Sequence, residues 1–147
     1  MEVTLEAVTI RNFEELMDME LPPEQARFVA SNAYSIAQAH YFSTWRPRAI
    51  YCDGTPAGFA LYDVKGNHEA GHYAICRLMV DHPRQNRGIG RRAMELLLAE
   101  IRRFPDARKI SICYKPDNAT ARAFYASFGF VETQVDEIGE MIAVIML

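Results

Sequence analysis

The stretch from Arg77 to Arg92 limits the fold of this chain more than any other. It reads Arg-Leu-Met-Val-Asp-His-Pro-Arg-Gln-Asn-Arg-Gly-Ile-Gly-Arg-Arg. An apolar run ending at Val80 gives way to a basic loop, and two glycines, Gly88 and Gly90, then open an amphipathic helix. Glycine lets the chain turn tightly and puts no Cβ between the backbone and a ligand. The first turn of a helix carries N–H groups without intrahelical partners and the positive end of the macrodipole. With Arg84, Arg87, Arg91 and Arg92 around them, these groups describe a site for a phosphorylated, anionic ligand. The whole chain has a net charge of −3, so the arginines are a local feature of a mildly acidic molecule. That favours a small anionic cofactor over nucleic acid.

The 147 residues are expected to form one domain, 1–147, long enough to bury a core. Cys52, Cys76 and Cys113 lie far apart in or beside apolar runs, without C-x-x-C spacing, and read as buried thiols of a reducing compartment. The N-terminus lacks a basic segment followed by an apolar one, and no apolar run is long enough to span a bilayer. A cytoplasmic protein with no membrane partner is the expectation.

Taken in order, Val3 to Ile10 alternates as a strand. Asn12, with Glu15 three residues on, sets a capping box for a short helix. Pro22-Pro23 stops that helix, and Glu24 to Phe42 reads as one longer helix with Phe28, Ala33, Ile36 and Ala37 on its apolar stripe. Strands at Arg48–Cys52 and Ala57–Val64 flank Asp53-Gly54-Thr55-Pro56, a strong hairpin signal. Tyr73 to Val80 returns as a third antiparallel strand. Ile89, Ala93, Leu97 and Ile101 recur every four residues and mark the helix that the glycines open. Lys109 to Tyr114 is a strand parallel to the one before Gly88, through a βαβ crossover. Asn118 caps a helix over Ala119–Phe128 that Gly129 closes. Phe130–Val135 and Met141–Leu147 form a terminal pair. The order βααβββαβαββ predicts an α/β (α+β) fold: a mixed, largely antiparallel sheet of about seven strands with helices on both faces.

Two motifs compete for attention and fail on context. His68-Glu69-Ala70-Gly71-His72 matches H-E-x-x-H, but zinc chemistry needs both histidines on one face of a helix. Here Gly66 and Gly71 bracket a loop before a β-run, so no metal is expected. Gly88 to Ala93 fits G-x-G-x-x-A, yet seven residues, Asp81 to Arg87, separate the strand from the first glycine, and the next strand ends in Tyr114-Lys115-Pro116 rather than an acidic residue. Dinucleotide binding is therefore the second reading. No Gly-Lys-Ser/Thr exists for a Walker loop.

Gln85-Asn86-Arg87-Gly88-Ile89-Gly90 between strand and helix, and Asn118-Ala119-Thr120-Ala121-Arg122-Ala123-Phe124-Tyr125 followed by Phe128-Gly129-Phe130, together resemble the GNAT superfamily of N-acetyltransferases. With the element order, the resemblance covers essentially the whole chain. It implies acetyl-coenzyme A as cosubstrate and no metal. Backbone N–H groups of Arg87, Gly88, Ile89, Gly90 and Arg91 would hold the pyrophosphate, with Gln85 and Asn86 also on the cofactor. Leu78, Met79 and Val80 would hydrogen-bond the pantetheine arm, with Asn118, Ala121, Phe124 and Tyr125 on the other side. The resemblance makes Tyr125 the general acid for the departing thiolate, and a Tyr hydroxyl near pKa ~10 suits that proton transfer. The alternative for Tyr125 is a core aromatic beside Phe124 and Phe128.

Some relatives carry a base on the strand ahead of Leu78, where this chain has Ala74 and Cys76. That leaves Glu24, His40 and His72, acting through ordered water, as unassigned candidates. The N-terminal half resembles the bacterial spermine/spermidine N-acetyltransferase branch through Glu24–Asn32, Ile50-Tyr51 and Gly58–Tyr62. Glu14, Glu15, Asp18, Glu20 and Glu24 would then face a cationic amine, or else form a solvated helix face. A small amine such as a polyamine is the expected acceptor. An acyl-coenzyme A-binding regulatory module and a protein-acetylating enzyme are the alternatives, and a homodimer is left open.

Overall fold

Alternating side chains on the central strands divide the core into two layers. The computed structural model describes residues 1–147. Its elements are β1 (Val3–Ala7), α1 (Phe13–Met17), α2 (Pro23–Ala26), α3 (Asn32–Tyr41), β2 (Trp45–Cys52), β3 (Thr55–Asp63), β4 (His72–Val80), α4 (Ile89–Arg102), β5 (Lys109–Tyr114), α5 (Ala119–Ala126), β6 (Val131–Val135) and β7 (Met141–Met146). Along β3, Ala60 and Tyr62 face a cluster with Ala93, Met94, Leu97 and Ile101 of α4. Phe59 and Leu61 point the other way, towards Leu16 and Met19. The four-residue recurrence in α4 is thus its buried face: Ile89, Ala93, Leu97 and Ile101 are all buried. Each fully buried aliphatic side chain stabilises the fold by roughly 1.5–3 kcal/mol before entropy is counted.

The seven strands form one sheet in the order β1-β2-β3-β4-β5-β7-β6. All neighbours are antiparallel except β4 and β5. Helices α4 and α5 cover one face and α1 and α3 the other, so the expected architecture holds. Asp53 and Gly54 have φ of +50° and +81°, the two left-handed positions that a tight two-residue hairpin needs. No helix is long and apolar enough to cross a membrane.

The N-terminal third departs from expectation. The first strand stops at Ala7, not Ile10, because the Asn12 amide folds back on it. Asn12 Nδ2 donates to the Ala7 carbonyl at 3.0 Å and its Oδ1 accepts from the Thr9 N–H at 2.8 Å. The same side chain therefore makes no capping box with Glu15; α1 has no side-chain cap. The single helix expected over 24–42 is two, α2 and α3, which gives βαααβββαβαββ. Ser31 is the cause. Its backbone is extended, and its Oγ accepts from the Tyr34 N–H at 3.1 Å, starting a new helix. Buried Asn32 then pins α3 to α1 by donating to the Leu16 carbonyl at 2.8 Å.

Gly58 of β3 has no room for a side chain. A Cβ there would lie 2.3 Å from the Met79 carbonyl oxygen, a backbone atom that cannot swing away. Gly58→Ala is expected to cost at least about 2 kcal/mol by forcing β3 and β4 apart. Urea denaturation of the two proteins at equal m-value measures it.

Candidate active site

The parallel pair that the βαβ crossover creates is short. The β4–β5 register runs from His72 opposite Lys109 to Ile75 opposite Ile112 and stops, although β4 continues to Val80 and β5 to Tyr114. The break coincides with a bulge: Tyr62 of β3 faces Ile75 and Leu61 faces Arg77, leaving Cys76 as an extra residue. A bulge bends the strand that carries it. Beyond it, β4 stays paired to β3, and the Asp81 N–H donates to the Ala57 carbonyl at 2.9 Å. Hydrogen-bonding direction alternates along an antiparallel strand. Leu78 and Val80 therefore turn their N–H and C=O groups into the gap, while Met79 turns its own towards β3. Of the three strand residues expected to bond a ligand arm, only Leu78 and Val80 present backbone polar groups to it. The Met79 side chain is buried in the core on the α1–α3 face.

The loop into α4 completes one side of the gap. Asn86 and Gly88 have φ of +63° and +85°, and Gly88 caps the helix with no side chain involved. The first N–H groups of this 14-residue helix are thus left for a ligand. Gly90 is not explained by packing, since a Cβ there would meet only Val80 Cγ2 at an ordinary 3.6 Å. It leaves a cradle that a Cβ would fill. Gln85 braces the loop: its Nε2 donates to the Val80 carbonyl at 3.0 Å and to Gln25 Oε1 at 3.1 Å.

A groove of about 520 Å3 runs along this edge. Leu78, Met79 and Val80, then Gln85, Asn86, Gly88, Ile89, Gly90 and Arg91, form its floor and one wall. Asn118, Ala121, Phe124 and Tyr125 of α5 form another. Arg87 is the expected contact that does not line it; its side chain is exposed. Arg91 is partly committed elsewhere, donating to Ser127 Oγ at 2.9 Å and lying 4.6 Å over the Phe128 ring. It ties α4 to α5. Asn118 caps α5, its Oδ1 accepting from the Ala121 N–H at 3.1 Å, which leaves its amide NH2 for a ligand. Of the third wall, Leu21, Glu24, Gln25, Phe28 and Val29, sequence reasoning singled out Glu24 and missed the rest, because α2 was taken as part of one long amphipathic helix.

A second cavity, about 380 Å3, opens from the groove and shares Phe28, Val29, Leu78, Asn118, Ala121 and Tyr125 with it. Tyr125 stands at the junction. Its ring stacks on Tyr114 at 5.8 Å and meets Phe124 edge-on at 5.3 Å, while no protein group hydrogen-bonds its hydroxyl. Burial, and then the neighbouring Tyr114, push that hydroxyl up to about 12. Both sequence readings of Tyr125 are therefore true of different atoms: the ring is packed and the hydroxyl is free.

The walls of this chamber carry several groups that sequence reasoning did not single out. Ser111, Arg77 and Lys115 line it, and Glu140 is its one carboxylate. Glu140 is set by a turn in which Asp136 Oδ1 accepts from the Glu140 N–H at 2.8 Å and the Ile138 N–H at 3.0 Å. Arg77 is held by α3 through Gln38 Oε1 at 3.1 Å. Two thiols, Cys76 and Cys113, also face the chamber. Burial pushes Cys76 up to about 12, and burial followed by Glu140 and Asp136 pushes Cys113 up to about 11. Neither is an activated nucleophile.

The expected acidic lining is largely elsewhere. Glu14, Glu15, Asp18 and Glu20 are exposed and border neither cavity, because α1 turns Leu16 inward and its carboxylates out. Glu24 alone reaches the groove. His40 is exposed on α3, away from both cavities. His72 lies behind the chamber wall, its Nε2 2.6 Å from Ser111 Oγ. The His68–His72 segment is a loop, with Asn67, His68 and Gly71 at φ of +51°, +59° and +83°, so its histidines share no helical face.

The sequence profile of the acetyltransferase (GNAT) family matches residues 12–130. The chain belongs to that family. Among curated proteins, this GNAT acetyltransferase is 23% identical over 149 aligned residues to the spermine/spermidine N(1)-acetyltransferase of Bacillus subtilis strain 168, covering 98% of each chain. Solved structures of similar fold include aminoglycoside acetyltransferase AAC(6')-Ib in complex with coenzyme A (TM-score 0.80, 18% identity, 99% of this chain and 95% of that one). The ribosomal-protein-S18-alanine N-acetyltransferase of Escherichia coli is another (TM-score 0.75, 19% identity, 99% and 94%). Ile50, Phe59, Ala60, Leu61 and Tyr62, which carry part of the likeness to the polyamine branch, are all 0% exposed. They record packing, not acceptor chemistry.

The raised thiols generate a prediction. Intact-mass analysis after incubation with acetyl-coenzyme A should find no acetylated enzyme, and Cys113→Ser should keep the wild-type rate within about twofold.

Proposed function

We propose that this chain moves the acetyl group of acetyl-coenzyme A directly to a primary amine of a small molecule. The observation that carries the proposal is the meeting of groove and chamber at Tyr125. One cavity suits an extended phosphorylated ligand and the other a compact acceptor, with a free hydroxyl where the two would react.

The residues fit the cofactor. Unpaired N–H groups at the start of α4, with Arg84 and Arg91 beside them, suit a pyrophosphate. Leu78 and the Val80 N–H suit the amide-bearing arm as an added strand would, and the Asn118 amide meets that arm from α5. Bound there, acetyl-coenzyme A supplies an activated acetyl thioester. Tyr125 holds a proton at the junction, where the sulfur leaving group needs one. Glu140, the one carboxylate on the chamber wall, attracts and orients an ammonium head group. The aromatic and aliphatic lining, from Phe28, Val29 and Trp45 among others, excludes water and strengthens that attraction. Only Cys52 is the buried thiol expected of all three; Cys76 is half-buried and Cys113 exposed, and the raised chamber thiols support direct transfer over a covalent enzyme intermediate.

A polyamine is the finer reading, and the Bacillus relatives support it. Glu140 matches one ammonium inside the chamber, so the rest of a polyamine would extend along the groove mouth towards Glu24. A cytoplasmic setting suits an enzyme with three free thiols and a cosubstrate of central metabolism. One chain lines both cavities, so the reading requires no second copy.

Thiol release from acetyl-coenzyme A, assayed with polyamines, aminoglycosides, simple alkylamines and a peptide, tests the proposal. Acceleration by a small amine is expected. Tight cofactor binding without acceleration by any amine would point to a binding module instead, and preference for the peptide to a protein-acetylating enzyme.

Two variants sharpen the assignment. Tyr125→Phe should lower kcat by about 10- to 100-fold with little change in KM. Because the Tyr125 proton is held up to about 12, the acid form persists below that value. The wild-type rate should then show no alkaline fall through about pH 10. Gly90→Ala should leave the melting temperature unchanged or higher, since Ala favours helix by about 1 kcal/mol, while weakening coenzyme A binding about tenfold by calorimetry. Equal losses in stability and affinity would mean that the glycine serves folding alone.

A further inference from the structure

Resting on the proposed transfer to an amine, we propose that Ser111, His72 and Glu69 form a relay that carries the acceptor's ammonium proton out of the chamber. The chain lacks a carboxylate on β4 at Ala74 or Cys76, yet an alkylammonium must lose a proton before its nitrogen can attack. Ser111 is the chamber-wall residue with a route onward. Its Oγ lies 2.6 Å from His72 Nε2, a contact buried between β4 and β5. On the far side of the ring, buried Nδ1 has no hydrogen-bond partner, and Glu69 Oε2 faces it at 3.6 Å, within ion-pair range. The side chain of Glu69 is 56% exposed, so the line runs from chamber wall to solvent. Glu69 and His72 are the pair that the H-E-x-x-H spacing singled out; the loop brings them together without a helix.

The step balances. The amine N–H bond breaks and its electron pair stays on nitrogen; the proton passes to Ser111 Oγ. The hydroxyl proton of Ser111 passes to His72 Nε2, forming an imidazolium beside the Glu69 carboxylate. That cation passes its Nδ1 proton to the Glu69 carboxylate and on to solvent, leaving a neutral ring protonated at Nε2. Once the chamber has emptied, Nδ1 regains a proton through Glu69 and Nε2 returns its own to the Ser111 side, which resets the tautomer. Ser111 is the residue that touches the acceptor, and His72 and Glu69 act through it.

The ring is neutral when the relay begins. Burial, then the Lys109 ammonium, hold His72 below its usual value, while Glu69 and Asp63 oppose them. These groups come from every element facing the ring: Lys109 from β5, Asp63 from β3, Glu69 from the loop. Lys109 also contacts Glu69 Oε2 at 3.5 Å, so removing the Glu69 charge acts in one direction only. The His72 proton affinity falls.

The test is the pH profile of kcat with an aliphatic amine at saturating acetyl-coenzyme A. His72→Gln, which can still hydrogen-bond Ser111, and Ser111→Ala are each expected to lose about 10- to 100-fold in kcat. The acid limb should disappear, and the KM for acetyl-coenzyme A should stay within about twofold. Ser111→Thr, which keeps a hydroxyl, should recover most of the Ser111→Ala loss. Glu69→Gln, a change at a largely exposed side chain, should move the acid limb to lower pH. Glu140→Gln should instead raise the amine KM and leave the limb in place.

A His72→Gln protein with wild-type kcat and limb overturns the relay, as does a limb that moves with Glu140 and not with Glu69. If His72→Gln does not fold, Ser111→Ala and Glu69→Gln decide the matter. Absence of thiol release from the unmodified protein with any amine overturns the transfer and the relay together. Normal transfer with an unchanged Glu69→Gln profile overturns the relay alone.

Discussion

The structure turns on hydrogen bonds that β4 and β5 do not make. For four registered residue pairs these parallel strands are joined, and beyond Ile75 and Ile112 they are not. In a sheet whose other neighbours are paired, an open edge in the middle leaves buried polar groups that need partners. Leu78 and Val80 point into that opening. The chain meets part of the demand itself, through Gln85 on the Val80 carbonyl, and leaves the remainder to a ligand. A cavity at such a point is a consequence of the strand geometry, with side chains only trimming it.

The device that opens the strands is one residue. Cys76 is the extra residue in β4 opposite Leu61 and Tyr62, and it bends the strand away from β5 while the β3 pairing resumes on its far side. The same bulge puts Arg77 on the chamber wall against α3 and Leu78 at the junction of groove and chamber. Gly58, opposite Val80, leaves room for the Met79 carbonyl that a Cβ would take. Packing on one face, from α4, and on the other, from α1 and α3, holds the bent sheet in place.

The groove was legible in the sequence because its makers are local. Gly88 needs a left-handed φ, Gly90 leaves the first turn of α4 open, and Asn118 caps the helix that follows it; each leaves a mark within a few residues. The chamber was not legible, because its walls come from six separate segments. Trp45, Ser111 and Glu140 become neighbours only through the order of strands in the sheet, and none sits in a motif. The carboxylates of α1 misled for the same reason. Their composition suited a cationic amine, and the direction in which Leu16 is buried turned them to solvent.

What the sequence determined by itself was the set of elements from β2 onward and the glycine turn into α4. Those depend on hydrophobic period, turn residues and glycine conformation, all of them short-range. The tertiary structure showed where the long N-terminal helix breaks, and decided which backbone groups stay unpaired and which side chains stand around Tyr125. The break is set by a local cap at Ser31 that the apolar stripe of the helix masked; the others depend on the bulge at Cys76 and the parting of two strands, where packing against distant residues overrides local preference.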